Sequence, residues 1–190
     1  MRFGILAEDA SDYEAVRVLI QRFATRANLK PPGTKPAVGK GCAALVRKSP
    51  RVIGELERKG CNAFVLVHDL DRTVAGLNDE NQLRGRLVQL CPSLGARLHI
   101  CIPVEELEAW FLACPQVMRF VTGVPGKDVP NPHSIPSPKE YLQKLSRAAN
   151  KKPRLTVNDN RDLAKMLDLA VCEERCPALR QLGSFVALLA

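Results

Sequence analysis

Apolar positions along the chain fall into short continuous runs that alternate with stretches of helical spacing. Residues 2–7, RFGILA, read as a strand. Ser11 or Asp12 supplies an N-cap for a helix over 13–27, where Val16, Leu19, Ile20 and Phe23 recur at helical intervals. KPPGTKPAVGKG, residues 30–41, is a Pro/Gly loop with room for a brief strand. Residues 43–59 pattern as a helix, AFVLVH (63–68) as a buried strand, 79–90 as a helix and ARLHICI (96–102) as another strand. Such alternation predicts a mostly parallel sheet with helices on its faces. From Pro103 the signals change. PVEELEAWFLA puts a proline at the first helical position and Leu107, Trp110 and Phe111 at helical spacing. A Pro-rich connector over 124–138 leads to helical patterns near 139–149, 160–171 and 177–189. The expected fold class is α/β, with an α/β domain over 1–114 and a helical C-terminal extension over 115–190 packed on it.

The chemistry concentrates where strands end. AFVLVHDLDRT runs five apolar residues into Asp69 and Asp71. Alternate residues of an extended chain point the same way, so both carboxylates share a direction just beyond the carboxyl end of a strand, where open α/β sheets hold ligands. Carboxylates held together repel unless a proton or cation intervenes, which makes this pair a candidate divalent-metal site. A plain Asx turn with an Asp–Arg surface pair is the structural alternative. The first strand also ends in acid, at Glu8, followed by Asp9 and Asp12. Glu105, Glu106 and Glu108 follow the strand over 96–102. In a parallel sheet all three groups lie at one edge. Acids near a helix start are also favoured by the helix dipole, which weakens the third group as a signal.

Composition sets bounds. A hydrophobic fraction of 46% suffices for a packed core. The opening residues lack a secretory core, and no run reaches the ~18 apolar residues that span a bilayer, so a soluble cytoplasmic protein without membrane contact is expected. Seven cysteines with scattered spacing read as reduced core thiols. The formal charge is +8, of which residues 30–59 hold 8 − 2 = +6 and residues 144–154 hold +5, leaving 8 − 11 = −3 elsewhere. Charge runs usually mark solvated helix faces, but basic segments beside acidic motifs also suit a protein that handles a polyanion through metal ions. Lys40, Arg72 and Lys139 are candidates to neutralise phosphate oxygens. Lys144, Arg147, Lys151, Lys152 and Arg154 are candidates to grip a nucleic-acid backbone, without aromatic residues for base stacking. His68 precedes the acid pair and points away from it, and no two histidines have metal-ligand spacing. Trp110 belongs to an apolar helix face.

Glu at the end of the first strand and a DxD at the end of a later one resemble TOPRIM (topoisomerase–primase) domains. ILAEDASDYEAV is similar to the opening of stand-alone bacterial TOPRIM-like proteins, VLVHDLDR to their DxD strand and VEELEAWFLA to the helix that follows. SPKEYL and TVNDNRDLAKMLDL extend the resemblance to the domain-of-unknown-function family 4276, over nearly the whole chain. The resemblance implies a metal-dependent nuclease. Glu8 would be general base or metal ligand, Asp69 and Asp71 would bind Mg²⁺ or Mn²⁺, and Asp12 and Glu108 would be further ligands. It also implies kinship with the nuclease part of overcoming-lysogenisation-defect proteins and an ATPase partner in phage defence. Asp9 departs from the family's usual glycine, and Cys114 stands where an aspartate is expected.

Two other readings stand beside this one. FVLVHDLDRTV also resembles the first motif of haloacid-dehalogenase-type phosphatases, with Asp69 as nucleophile and Asp71 as acid/base. That motif normally opens its domain, and Asp159 and Asp162 are poor candidates for its downstream acids. The other alternative is a non-catalytic module that binds nucleic acid or an ATPase. A P-loop is excluded, because GTKPAVGKG has the wrong glycine spacing and Gly41 where Ser or Thr must bind Mg²⁺.

Overall fold

Strand β1 (Arg2–Ala7) divides its side chains between two apolar layers, Phe3 and Ile5 on one face and Leu6 on the other. A sheet buried on both faces needs a helical layer on each. The structure, a computed structural model, describes residues 1–39, 42–72, 79–149 and 159–189, with only the backbone of 42–45. Helix α1 (Ala10–Arg26) covers the first face. After the edge strand β2 (Gly33–Val38), helix α2 (Cys42–Arg58) covers the second. Strand β3 (Ala63–Val67) is buried at every position, as a central strand should be. Helix α3 (Glu80–Gln89), a 3-10 segment over Pro92–Arg97 and strand β4 (Leu98–Cys101) follow.

The described strands form one parallel sheet in the order β2-β1-β3-β4, the α/β architecture that the alternation predicts. The Pro/Gly segment contributes a six-residue strand. An edge position tolerates Pro36 because only one side of the strand carries ladder bonds. Gly4 is needed where β1 meets its neighbours: a Cβ there would stand 2.9 Å from both Phe64 Cδ1 and Leu56 Cδ1.

The helix expected from Pro103 does not form there. Leu70 and Val104 make a parallel bridge, with Leu70 N–H donating to Pro103 O at 2.8 Å and Glu105 N–H to Leu70 O at 2.9 Å. That pairing needs extended backbone, and Glu105 then turns through φ = 64°, so helix α4 is confined to Ala109–Leu112. Helix α5 (Pro115–Thr122), a 3-10 turn over Pro132–Ser134 and helices α6 (Pro138–Ala149), α7 (Asn160–Met166), α8 (Leu169–Arg175) and α9 (Pro177–Leu189) complete the chain. The single helix expected over 160–171 is two, because Asp168 leaves helical geometry and caps α8 through Ala170 N and Val171 N.

These C-terminal helices share the β1–α1 core. Leu163, Leu179, Leu182 and Val186 lie in one buried cluster with Phe3, Ile5, Trp110 and Phe111. Cys101, Cys114, Cys172 and Cys176 belong to it as free buried thiols, and Arg175 ties α8 down by donating to Ala113 O and Asp128 Oδ2, both at 2.7 Å. Among the described residues, no helix is long and apolar enough to cross a membrane.

Candidate metal centre

The strand order fixes where a site can sit. The chain steps from β1 outward to β2, then back across to β3, so the connections leaving β1 and β3 diverge. A crevice opens at the carboxyl ends of strands flanking such a reversal. Glu8 leaves β1 and Asp69 follows β3, on the two sides of that crevice. Pairing continues past β3, with His68 N–H donating to Cys101 O at 3.1 Å before the Leu70 bridge, so the chain stays extended as it delivers Asp69. Asp71, half-buried, lies just past the bridge.

Only Glu8 and Asp9 separate β1 from α1, which brings the helix N-terminus to the crevice. Asp9 is the N-cap: its Oδ1 accepts from Ser11 N at 2.7 Å and Asp12 N at 3.0 Å. The unusual residue of the motif therefore has a local task, one that glycine performs less fully. Asp9→Ala is expected to cost about 1 kcal/mol in urea unfolding, whereas Asp9→Asn, which keeps the cap, should cost nothing measurable. Equal losses in both variants would mean that the charge, not the cap, matters.

Asp12 lies in the first turn of α1, where burial first, then the charges of Asp9, Glu108 and Glu8, push its carboxyl up to about 8. Burial also raises Asp69 well above the carboxylate range, reinforced by Asp12, Glu108, Glu8 and Glu106. Glu106 is raised in turn, by burial before its acidic neighbours Glu108 and Glu140, against the N–H of Lys139. Glu8, Asp12, Asp69, Glu106 and Glu108 are thus one electrostatic unit. Burial pulls the Lys139 ammonium down, but Glu108, Asp9, Glu106 and Asp12 outweigh it and the group is raised.

Two residues from the helical C-terminal region hold this unit in place. Asn160, buried at the start of α7, donates Nδ2 to Glu108 Oε1 at 3.0 Å. The backbone N–H of Lys139, at the start of α6, donates to Glu106 Oε2 at 2.8 Å. Sequence reasoning misses Asn160, names Glu106 only within the acidic cluster after the last strand, and gives Lys139 only a phosphate-binding part. Asn160 lies within the TVNDNRDL stretch, but its partner is 52 residues away and nothing local marks it.

Other candidates are placed differently. Arg72 pairs through Nε with buried Glu105, which the positive-φ turn separates from Glu106 and Glu108. Lys144 and Arg147 lie exposed on α6, while Lys40, Lys151, Lys152 and Arg154 fall outside the described residues. Cys114 is a core thiol accepting from Asp168 N at 3.3 Å. His68 is buried against its own chain, with Nδ1 2.8 Å from Asp69 O. Asp162 is 70% exposed and pairs with Lys165 at 2.6 Å.

The donor set fits a hard divalent cation, being carboxylate oxygen throughout, with negative charge crowded in partly desolvated surroundings. Among the described residues no three His, Cys, Asp or Glu side chains stand as a preformed shell, so an ion would have to draw them inward.

Comparison with known proteins yields one family. The model of a family described as "Domain of unknown function (DUF4276)" matches residues 7–187. No curated protein and no solved structure matches.

Proposed function

This chain belongs to the DUF4276 family, and from the site at its β1/β3 crevice we propose that it is a TOPRIM-like, Mg²⁺- or Mn²⁺-dependent nuclease. The observation that carries the reading is the convergence of Glu8, Asp12, Asp69 and Glu108 at the strand reversal, with Lys139 as the cation among them. A bound divalent ion would supply Lewis-acid stabilisation of the charge that develops on a cleaved phosphodiester. Glu8, Asp12, Asp69 and Glu108 would hold it, with Asp71 at the rim. Lys139, kept charged by its acidic neighbours, is placed to neutralise a non-bridging phosphate oxygen. Exposed Lys144 and Arg147 extend that positive charge along α6 for a nucleic-acid backbone. An ATPase partner and a part in phage defence rest on the family resemblance alone.

The lack of a preformed shell among the described residues favours one second reading, a non-catalytic TOPRIM-like module that binds nucleic acid or an ATPase. A phosphatase is less well supported, since Asp162, a candidate for its downstream acid, turns to solvent. The deciding experiment incubates the protein with plasmid DNA and mixed RNA in Mg²⁺, Mn²⁺ or EDTA, beside an Asp69→Asn/Asp71→Asn double variant. Cutting that needs metal and disappears in the variant is the expected result. No cutting by either protein would shift the reading to the binding module. Equal cutting by both would place the activity elsewhere.

A further inference from the structure

A second concavity lies against the C-terminal half of α1, walled by α7 and the start of α8, with a volume of about 780 Å³. Its lining includes Arg17, Arg22, Arg26, Arg161 and Lys165, with Asp168 as the acid. Three of these cations lean on carboxylates outside the wall: Arg17 on Glu14 at 2.6 Å, Arg26 on Glu173 at 2.8 Å and Lys165 on Asp162 at 2.6 Å. Arg161 shares Glu14 with Arg17, at 3.8 Å, so one carboxylate answers two guanidiniums. Asp168 Oδ1 already accepts from Ala170 N and Val171 N at 3.1 and 3.3 Å.

Arg22 is the exception. Its Nη1 and Nη2 donate to Ala164 O and Leu167 O, both at 2.7 Å, and among the described residues no carboxylate forms an ion pair with it. Carbonyl dipoles orient the guanidinium without cancelling its charge. Five cations against Glu14, Glu173, Asp162 and Asp168 leave 5 − 4 = +1. Arg22 and the shared Arg17–Arg161 pair each carry one charge that no paired carboxylate matches, and Asp168 offsets one of the two. Val18, Leu167 and Leu169 give the cavity an apolar side. Guanidinium charge at one end, an apolar wall and this volume suit a ligand with a phosphate head and an apolar body.

We propose that this cavity is a binding site for a phosphorylated small molecule of mononucleotide size, its phosphate against Arg22, Arg161 and Arg17. The site is independent of the nuclease reading. The two sites meet on α7, where Asn160 holds Glu108 and the next residue, Arg161, lines the cavity.

Calorimetric titration with AMP, in EDTA so that no metal holds nucleotide at the acidic crevice, is the test. AMP is expected to bind, and adenosine and citrate are not. Arg161 is 54% exposed, so Arg161→Glu should fold normally and weaken AMP by at least about tenfold, some 1.4 kcal/mol. Arg22→Lys keeps the charge but loses the paired carbonyl bonds that aim it, and should weaken AMP too. No heat with millimolar AMP would overturn the proposal. So would unchanged affinity in both arginine variants, citrate binding as well as AMP, or loss of AMP binding in Asp69→Asn.

Discussion

Asp69→Asn is expected to lower metal-dependent cleavage by about two to three orders of magnitude while making the metal-free protein harder to melt. Both effects have one cause. Burial and the charges of Asp12, Glu108, Glu8 and Glu106 all oppose an ionised Asp69, so its carboxylate is retained against the stability of the fold. Asparagine has nearly the same shape and needs no proton to be neutral, so it removes that cost, and on the proposed reading it also removes a hard oxygen ligand. Opposite movements of activity and stability are the mark of a site kept for function. Asp162→Asn is the control, since its carboxylate is exposed, and both measurements should stay where they are. Full cleavage by Asp69→Asn would remove this carboxylate from the mechanism. An unchanged melting temperature in EDTA would mean that the acids do not strain the fold.

What the sequence makes legible is what depends on neighbours in the chain. The division of Phe3 and Ile5 from Leu6 between two faces follows from strand alternation, and the α/β class follows from the succession of elements. The strand ends, and with them Glu8 and Asp69, are readable for the same reason. Strand order is not, because periodicity says where a strand is and not beside which strand it lies. Placing β1 against β3 is what joins Glu8 to Asp69, and it is a long-range choice. One reading left open and one misreading share that origin. GTKPAV pairs as a strand because a sheet edge accepts proline, and Pro103 fails to start a helix because Leu70, far back in the chain, takes its backbone into a bridge. Asn160 and Lys139 enter the crevice through helices that follow long connections, so their contacts with Glu108 and Glu106 have no local signature.

The same acids make stability depend on pH in a direction that can be fixed in advance. In EDTA, Asp12 holds its proton in the folded protein up to about 8, whereas the unfolded chain releases it near 3.8. Across that window the folded state binds more protons, so stability falls as pH rises. Asp69 and Glu106 act with the same sign. Other groups act against it. The Cys114 thiol, lowered to about 6 chiefly by hydrogen bonding from Cys172, favours the fold as pH rises above that value. His99, pushed down to about 4 by burial and then by Arg84, does so below about 6.5, as does His133, lowered by burial. Lys139 is raised from an ordinary value of 10.5 and loses its contribution only in strong alkali. The clean quantity is therefore the difference between wild type and Asp12→Asn, in which these opposing groups cancel. From pH 6 to pH 8 that difference should move against wild type by roughly 1–3 kcal/mol, or about 2–12 °C in melting temperature for a chain of this size. On the proposed metal-binding reading Mn²⁺ would replace the protons as the counter-charge, so its stabilisation of wild type should grow over the same two pH units and be smaller in Asp12→Asn. A difference that stays flat with pH would separate Asp12 from the acidic unit. Mn²⁺ stabilisation that is equal at both pH values and in both proteins would place the ion outside the β1/β3 crevice.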